Sequence, residues 1–391
     1  MTWSHVGPQG GAPDFYTSLG VEPLVNAATT FTAIGGSLMP AEVLEAMTSA
    51  AGRFVDLHEF HTAAGEELAR LTLNEAAYVT AGCAAAIVLA VLGCRTRGEL
   101  ANIARLPDVG DLPDEIIMHA AHRIPYDPAV RFAGARICQV GDVLQTFDWQ
   151  LEAAISERTA AVLYVAGSHL PPGALPLEQT VRICRPHGVP VLVDAAAQLP
   201  PVSNLWHFTK EVGADLALFS GGKALRGPQA SGLMVGRAEV IDAARANGAP
   251  HQRLARALKV GKEELAGLVA AVRRYVALDH EAEHAAWSIT VEGWAQVLGT
   301  APGVQATVEE HNEAGQPVPR VRVDVDHTAA RISAQDVVAV LADGSPGIRV
   351  LPGGRDTFWI GPDQLREGEA DLVADRVLAT LRHVTAGNHS G

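Results

Sequence analysis

Aromatic residues are scarce in this chain: Phe, Trp and Tyr together make 5% of its 391 residues, which argues against an aromatic binding surface. Basic residues are outnumbered, and a formal net charge of −14 speaks against nucleic acid or an anionic membrane as the main partner. Cysteine is sparse as well. Cys83, Cys94, Cys138 and Cys184 stand far apart with no C-x-x-C pair, a pattern that suits reduced thiols in the cytoplasm better than a disulfide framework. No window reaches the roughly 18–20 apolar residues that a spanning helix needs. Met1 to Tyr16 is rich in Gly and Pro and lacks a basic region followed by an apolar core, so it reads as an arm and not as a signal peptide. The expectation is a cytoplasmic protein without a nucleic-acid or membrane partner.

What the chain does have is length, Ala, Gly and apolar strands. Hydrophobic residues make up 48%, enough to bury a large interior, and the length suggests two or three domains. The middle of the chain alternates β-branched runs with amphipathic ones. Strands are expected at Glu115–His119, Ala135–Val140, Thr159–Ala166, Val189–Ala195, Ala214–Ser220 and Gly232–Gly236. Helices are expected at Asp148–Glu157, Leu177–His187 and Asn204–Val212. Strands that are apolar throughout and alternate with helices predict an α/β fold with a mostly parallel central sheet flanked by helices. Ligands in such sheets sit at the carboxyl ends of the strands. Further on, Lys262–Leu298 reads as one long helix. Beyond Pro302 come strands Val321–Val325, Gly347–Leu351 and Thr357–Ile360, with helices Ala334–Leu341 and Glu369–Val384, a smaller α+β C-terminal domain. The expected partition is an arm at 1–18, a segment at 19–60 serving the small domain and a dimer contact, a large domain at 61–285 and a small one at 286–391.

The chemistry concentrates in Leu218-Phe219-Ser220-Gly221-Gly222-Lys223-Ala224-Leu225-Arg226-Gly227-Pro228. Lys223 stands at the mouth of an apolar strand with glycines before it and a Gly-Pro turn after it. Glycines let a ligand approach the backbone, and a poorly solvated lysine can lose its proton and condense with an aldehyde as a Schiff base. Such a lysine points to pyridoxal 5′-phosphate. Two further features suit the same ligand. Thr80-Ala81-Gly82-Cys83-Ala84 is a small-residue turn opening a helix-like run, where free N–H groups and the positive end of the helix dipole make a phosphate seat. Asp194 ends the strand Val191–Val193, 29 residues before Lys223, and could hold a pyridinium N–H; it could equally cap the next segment.

Other patterns carry less. His119 and His122 follow a strand, where an imidazole could stack on a flat ring or exchange protons. His280-Glu281-Ala282-Glu283-His284 has zinc-site spacing, yet it sits in a strongly polar run without an obvious third ligand, and no metal is expected. Asp56-Leu57-His58-Glu59-Phe60-His61 is a polar cluster that reads as structural. A Walker loop is excluded because Ala224 follows the lysine.

The segments Asn26–Thr29, Val79–Gly82, Val193–Pro200 and Phe219–Gln229 resemble the selenocysteine-synthase-like branch of fold-type-I pyridoxal-phosphate enzymes, most nearly its D-glucosaminate-6-phosphate ammonia-lyases, over about Leu19 to Leu381. The resemblance implies Lys223 as the Schiff-base lysine, Asp194 as the pyridine-nitrogen partner and His122 stacked on the ring. It implies backbone N–H groups of Gly82, Cys83 and Ala84, with the Ser220 hydroxyl, on the phosphate, and Gln198 beside the cofactor. Thr29, Arg349 and Arg355 are the candidate substrate residues. The family's sites lie at a subunit boundary, so a homodimer or higher homo-oligomer is implied, with Arg226, His58 or Glu59 serving a neighbouring site. Cys83 departs from the pattern, standing where relatives often carry a small or hydroxyl residue. The implied reaction is removal of the Cα proton from an amino acid or amino-sugar acid, then β-elimination to a keto acid and ammonia. A racemase, a retro-aldol enzyme and a non-catalytic cofactor-binding protein are the alternatives.

Overall fold

The computed structural model describes residues 14–107 and 110–386, so residues 1–13 of the expected N-terminal arm lie outside the described residues. The chain divides into two compact units. The larger is Thr30–His280 with Glu313–Pro317; the smaller takes the chain up to Thr29, Glu281–Asn312 and Val318 onward.

The larger unit is built on seven strands: β1 (Ala76–Thr80), β2 (Glu115–His119), β3 (Arg136–Val140), β4 (Thr159–Val165), β5 (Val191–Asp194), β6 (Leu216–Ser220) and β7 (Gly232–Gly236). Their order across the sheet is β1-β7-β6-β5-β4-β2-β3. All neighbours from β6 to β3 run parallel, and β7 is antiparallel to both β6 and β1. Two reversals leave β1 pointing the same way as β6. The carboxyl ends of β1, β4, β5 and β6 therefore open on one edge.

Successive side chains of a strand leave by opposite faces, and the two apolar layers follow that alternation. Ile117, Val162, Val193 and Phe219 join Leu68 in one layer, while Ile116, Leu163, Leu192 and Leu218 join Ile87 and Leu89 in the other. The helix α1 (Cys83–Thr96), which reads CAAAIVLAVLGCRT, is buried nearly all round, as a helix without a polar face must be.

In the smaller unit an antiparallel sheet orders Leu351–Pro352, Thr357–Ile360, Arg320–Val325 and Val304–Glu309. Leu24–Asn26 pairs in parallel with Gly347–Arg349. Val321, Val323, Phe358 and Ile360 pack with Trp294, Leu298, Val337 and Val377.

Several elements differ from the sequence reading. The strand expected at Gly347–Leu351 is two, Gly347–Arg349 and Leu351–Pro352, which lie in different sheets. The single helix expected at Lys262–Leu298 is two, Lys262–Ala277 and His280–Leu298, because Leu278 takes an extended backbone with φ −68° and ψ 147°. Asp279, a residue type that starts helices, stands at the break. The helix expected at Asn204–Val212 is one short turn followed by a π-helical stretch, His207–Glu211. The strand Val304–Glu309 was not expected, since a half-exposed edge strand has no continuous apolar run to announce it.

Candidate active site

The open edge of the larger sheet holds a cavity of about 270 Å³. Its wall is made by the strand ends Val165, Asp194 and Ser220, the start of α1 at Gly82, Cys83 and Ala84, and Lys223. A larger hollow of about 670 Å³ lies at the starts of the parallel strands, with Pro113, Thr159 and Pro190 among its lining residues. It contains no lysine, and strand starts are not where such sheets bind ligands.

Gly82 ends the approach to α1 with φ 89°, a left-handed conformation that glycine takes without strain. No side chain caps this helix start. The first-turn N–H groups and the positive dipole end thus face the cavity from a fourteen-residue helix. Gly232 makes the arrangement possible. It is paired with Thr80 on one side and Ser220 on the other, and a Cβ there would lie 2.6 Å from the carbonyl carbon of Gly82 and 2.7 Å from Thr80 Oγ1.

Asp194 is 6% exposed. Its Oδ1 accepts from the Ala196 N–H at 3.1 Å and from the Cys83 S–H at 3.5 Å; Oδ2 takes neither bond. Burial raises its pKa above the ordinary carboxyl value, while the Ala196 and Cys83 bonds and the Lys223 charge pull it down. The Cys83 thiol is pushed well up, by burial first and then by Asp194. Asp194 thus makes an Asx-type bond to the following turn and also lines the cavity.

The lysine loop is fixed from several sides. The Gly221 N–H donates to Ser231 O at 2.9 Å, Gly227 N–H to Gly221 O at 2.8 Å and Arg226 N–H to Lys223 O at 2.9 Å. A Cβ on Gly222 would meet Gln229 Cα at 2.5 Å. Ser37 clasps the loop from afar, its N–H and its hydroxyl donating to Gly222 O at 3.1 and 3.0 Å. Lys223 is the sole Lys or Arg among the described residues lining the cavity. An anionic group there would meet N–H dipoles and hydroxyls rather than a basic cluster.

His122 is not among the described residues that line this cavity. Its ring is 4% exposed, lies 4.4 Å edge-on to Tyr164, and its Nδ1 accepts from the Val165 N–H at 3.3 Å. Burial, helped by the neighbouring His119, lowers its pKa to about 3. His119 is fully buried with neither ring nitrogen hydrogen-bonded, and burial lowers it to about 4. Gln198 turns its amide to Ala197 O and Ala314 O, at 2.9 and 3.2 Å. Thr29, Arg349 and Arg355 belong to the smaller unit, where Arg349 ends the strand paired with Leu24–Asn26 and Arg355 is exposed. Asp56 caps the helix Leu57–Leu71 by accepting from His58 and Glu59 N–H groups, which explains that polar cluster structurally. His280 Nε2 lies 2.9 Å from Tyr275 O, and no group of three metal-ligating side chains occurs among the described residues. The sequence reading missed Thr32, Tyr126, His169 and Gln229 on the cavity wall. Gln229 alone had a signal, closing the lysine segment.

A buried carboxyl edge, an uncapped helix start, a strand-end hydroxyl and a lysine on one wall fit pyridoxal 5′-phosphate by donor set. The family model described as SelA: L-seryl-tRNA selenium transferase matches residues 24–318. The D-glucosaminate-6-phosphate ammonia lyase of Salmonella typhimurium is 33% identical over 378 residues, covering 95% of this chain and 99% of that protein. The 5′-C-glycyluridine monooxygenase-decarboxylase of a Streptomyces species is 36% identical, covering 85% and 83%. A solved D-glucosaminate-6-phosphate ammonia-lyase superposes with a TM-score of 0.84 at 32% identity, covering 96% of this chain and all of that one. Across that span, and with the lysine loop, Asp194 and the helix start on one strand edge, the chain belongs to the SelA family of L-seryl-tRNA selenium transferases and their relatives.

Proposed function

We propose that this chain is a pyridoxal-phosphate-dependent lyase that removes the Cα proton of an amino acid or amino-sugar acid and expels the β-substituent, giving a keto acid and ammonia. The observation that carries the reading is the convergence of Lys223, Asp194 and the Gly82–Ala84 helix start on one cavity. The near-full-length likeness to D-glucosaminate-6-phosphate ammonia lyases supports the lyase class.

The cofactor supplies an aldehyde that captures an amine and a ring that accepts the electron pair left at Cα. The Lys223 amine is the covalent anchor and, once released, the base nearest the Cα proton. The Asp194 carboxylate holds the ring N–H; its burial makes a cationic partner favourable. The N–H groups of Cys83 and Ala84, with the Ser220 hydroxyl, take the phosphate. His122 acts behind the wall, orienting the end of β4 through Val165. Thr29, Arg349 and Arg355 are assigned to the substrate.

A cytoplasmic homodimer is proposed with this activity. Exposed Phe31, Leu38, Leu44, Phe54 and Val55, all between residues 31 and 55, support burial against a second copy. Light scattering at micromolar concentration tests it, a monomer being the contrary result.

Borohydride treatment of the loaded protein should fix the cofactor on the peptide carrying Lys223, and Lys223→Ala should carry none. Reducible cofactor at the same site in Lys223→Ala would overturn the assignment. A screen of amino acids and amino-sugar acids should then release keto acid and ammonia in equal amounts. The likeness to a monooxygenase-decarboxylase favours one second reading: a substrate whose turnover consumes oxygen and releases carbon dioxide. An oxygen electrode separates the two.

A further inference from the structure

We propose that Cys83 is a positioning residue for Asp194: its S–H, with the Ala196 N–H, holds Oδ1 so that Oδ2 is presented to the cavity. This rests on the reading of Asp194 as the partner of the ring nitrogen.

Cys83 is the first residue of α1, and it stands in both halves of the site. Its backbone belongs to the helix start that faces the cavity, and its side chain reaches the strand-end carboxyl 111 positions later. The Sγ–Oδ1 distance of 3.5 Å is a sulfur hydrogen bond, and both side chains are buried. Two donors on one oxygen leave the carboxylate little freedom to rotate, because a turn about its axis would cost both bonds. The thiol can serve only as donor here. Burial and the adjoining Asp194 charge keep its proton on, so it does not compete as a second anion. An Ala at this position would leave Asp194 more basic and less fixed, and a Ser would keep a donor on a shorter arm.

The test uses loaded protein and two donor-less variants, Cys83→Ala and the space-filling Cys83→Val, beside Cys83→Ser. The equilibrium dissociation constant for pyridoxal 5′-phosphate and the cofactor's visible absorbance are measured across pH. Without the donor the carboxyl holds its proton to higher pH. Cys83→Ala and Cys83→Val should therefore lose the cofactor at a higher pH than the unchanged protein as acid is added. Near neutrality they should bind it roughly three- to tenfold more weakly, the worth of one weak charge-assisted hydrogen bond. Cys83→Ser should recover most of both effects. A uniform loss with an unmoved pH profile means packing alone and overturns the proposal, as does Cys83→Ser behaving like Cys83→Ala. Asp194→Asn separates the two layers. If it leaves affinity and absorbance unchanged, the reading of Asp194 fails; if it changes both while the Cys83 variants are inert, only this inference fails.

Discussion

Gly232→Ala should weaken the cofactor site by displacing the Gly82–Cys83 peptide, without replacing any side chain of the site. The added Cβ would lie 2.6 Å from the Gly82 carbonyl carbon, against the 3.4 Å at which ordinary contact begins. The obstacle is main chain, which cannot swing aside, so the turn at Gly82 must move by about 0.8 Å, the difference between those two distances. A displacement of that size stretches an N–H···O bond of about 2.9 Å to about 3.7 Å, beyond useful reach. The expected result is tenfold or greater loss of cofactor affinity, about 1.4 kcal/mol, together with about 1–3 kcal/mol of lost stability from overpacking. Gly93→Ala is the control. Gly93 lies within α1, and its Cβ would meet Ala244 N at 2.6 Å, a clash of the same size but away from the cavity wall. Urea unfolding should show both variants destabilised, and fluorescence titration should show weaker cofactor binding only for Gly232→Ala. A folded Gly232→Ala that binds like the unchanged protein, or equal affinity losses in both, would refute the reasoning.

Asp194→Asn should separate stability from binding. Burial raises the folded carboxyl's pKa, so the cofactor-free protein pays for its ionisation as pH rises from the ordinary carboxyl range through the raised value. The Asn variant should be more stable than the unchanged cofactor-free protein at neutral pH, equally stable at low pH, and defective in binding; calorimetry at two pH values checks it. His119→Phe should cost little at neutral pH, because neither ring nitrogen has a partner to lose. It should also soften acid unfolding. His119 is charged only in the unfolded chain between about pH 6.5 and about 4, so that window removes up to roughly 3 kcal/mol from the unchanged protein as pH falls. A variant losing more than about 3 kcal/mol at neutral pH, beyond the overpacking cost of the larger ring, would contradict the reading that the His119 nitrogens hold no partner.

The lysine loop and Asp194 were legible because each depends on local grammar: an apolar strand, its last residue, then glycines. The strands themselves read well for the same reason, being buried on both faces and bounded by turns. What escaped was long-range. Ser37 clasps Gly222 across 185 residues, and nothing in the local pattern around Ser37 marks it. His122 follows its strand as expected, yet the turn Ala120–His122 carries its ring to Tyr164 behind the wall, a direction that spacing does not encode. The long helix looked unbroken because its apolar rhythm continues across Leu278. Only the Asp279 that follows marks the restart.

One antiparallel strand explains why this edge can hold a phosphate and a ring together. Were β1 next to β6 directly, the helix start after β1 would lie one strand spacing from the lysine loop, about 4.8 Å. With β7 between them the separation doubles, and the gap is kept open because Gly232 offers no side chain to fill it. The same insertion points β1 along β6, so its helix dipole arrives with the positive end inward. In a chain of net charge −14, with Lys223 the sole Lys or Arg among the described residues on the cavity wall, that dipole and its first-turn N–H groups are what the wall offers an anion besides the lysine.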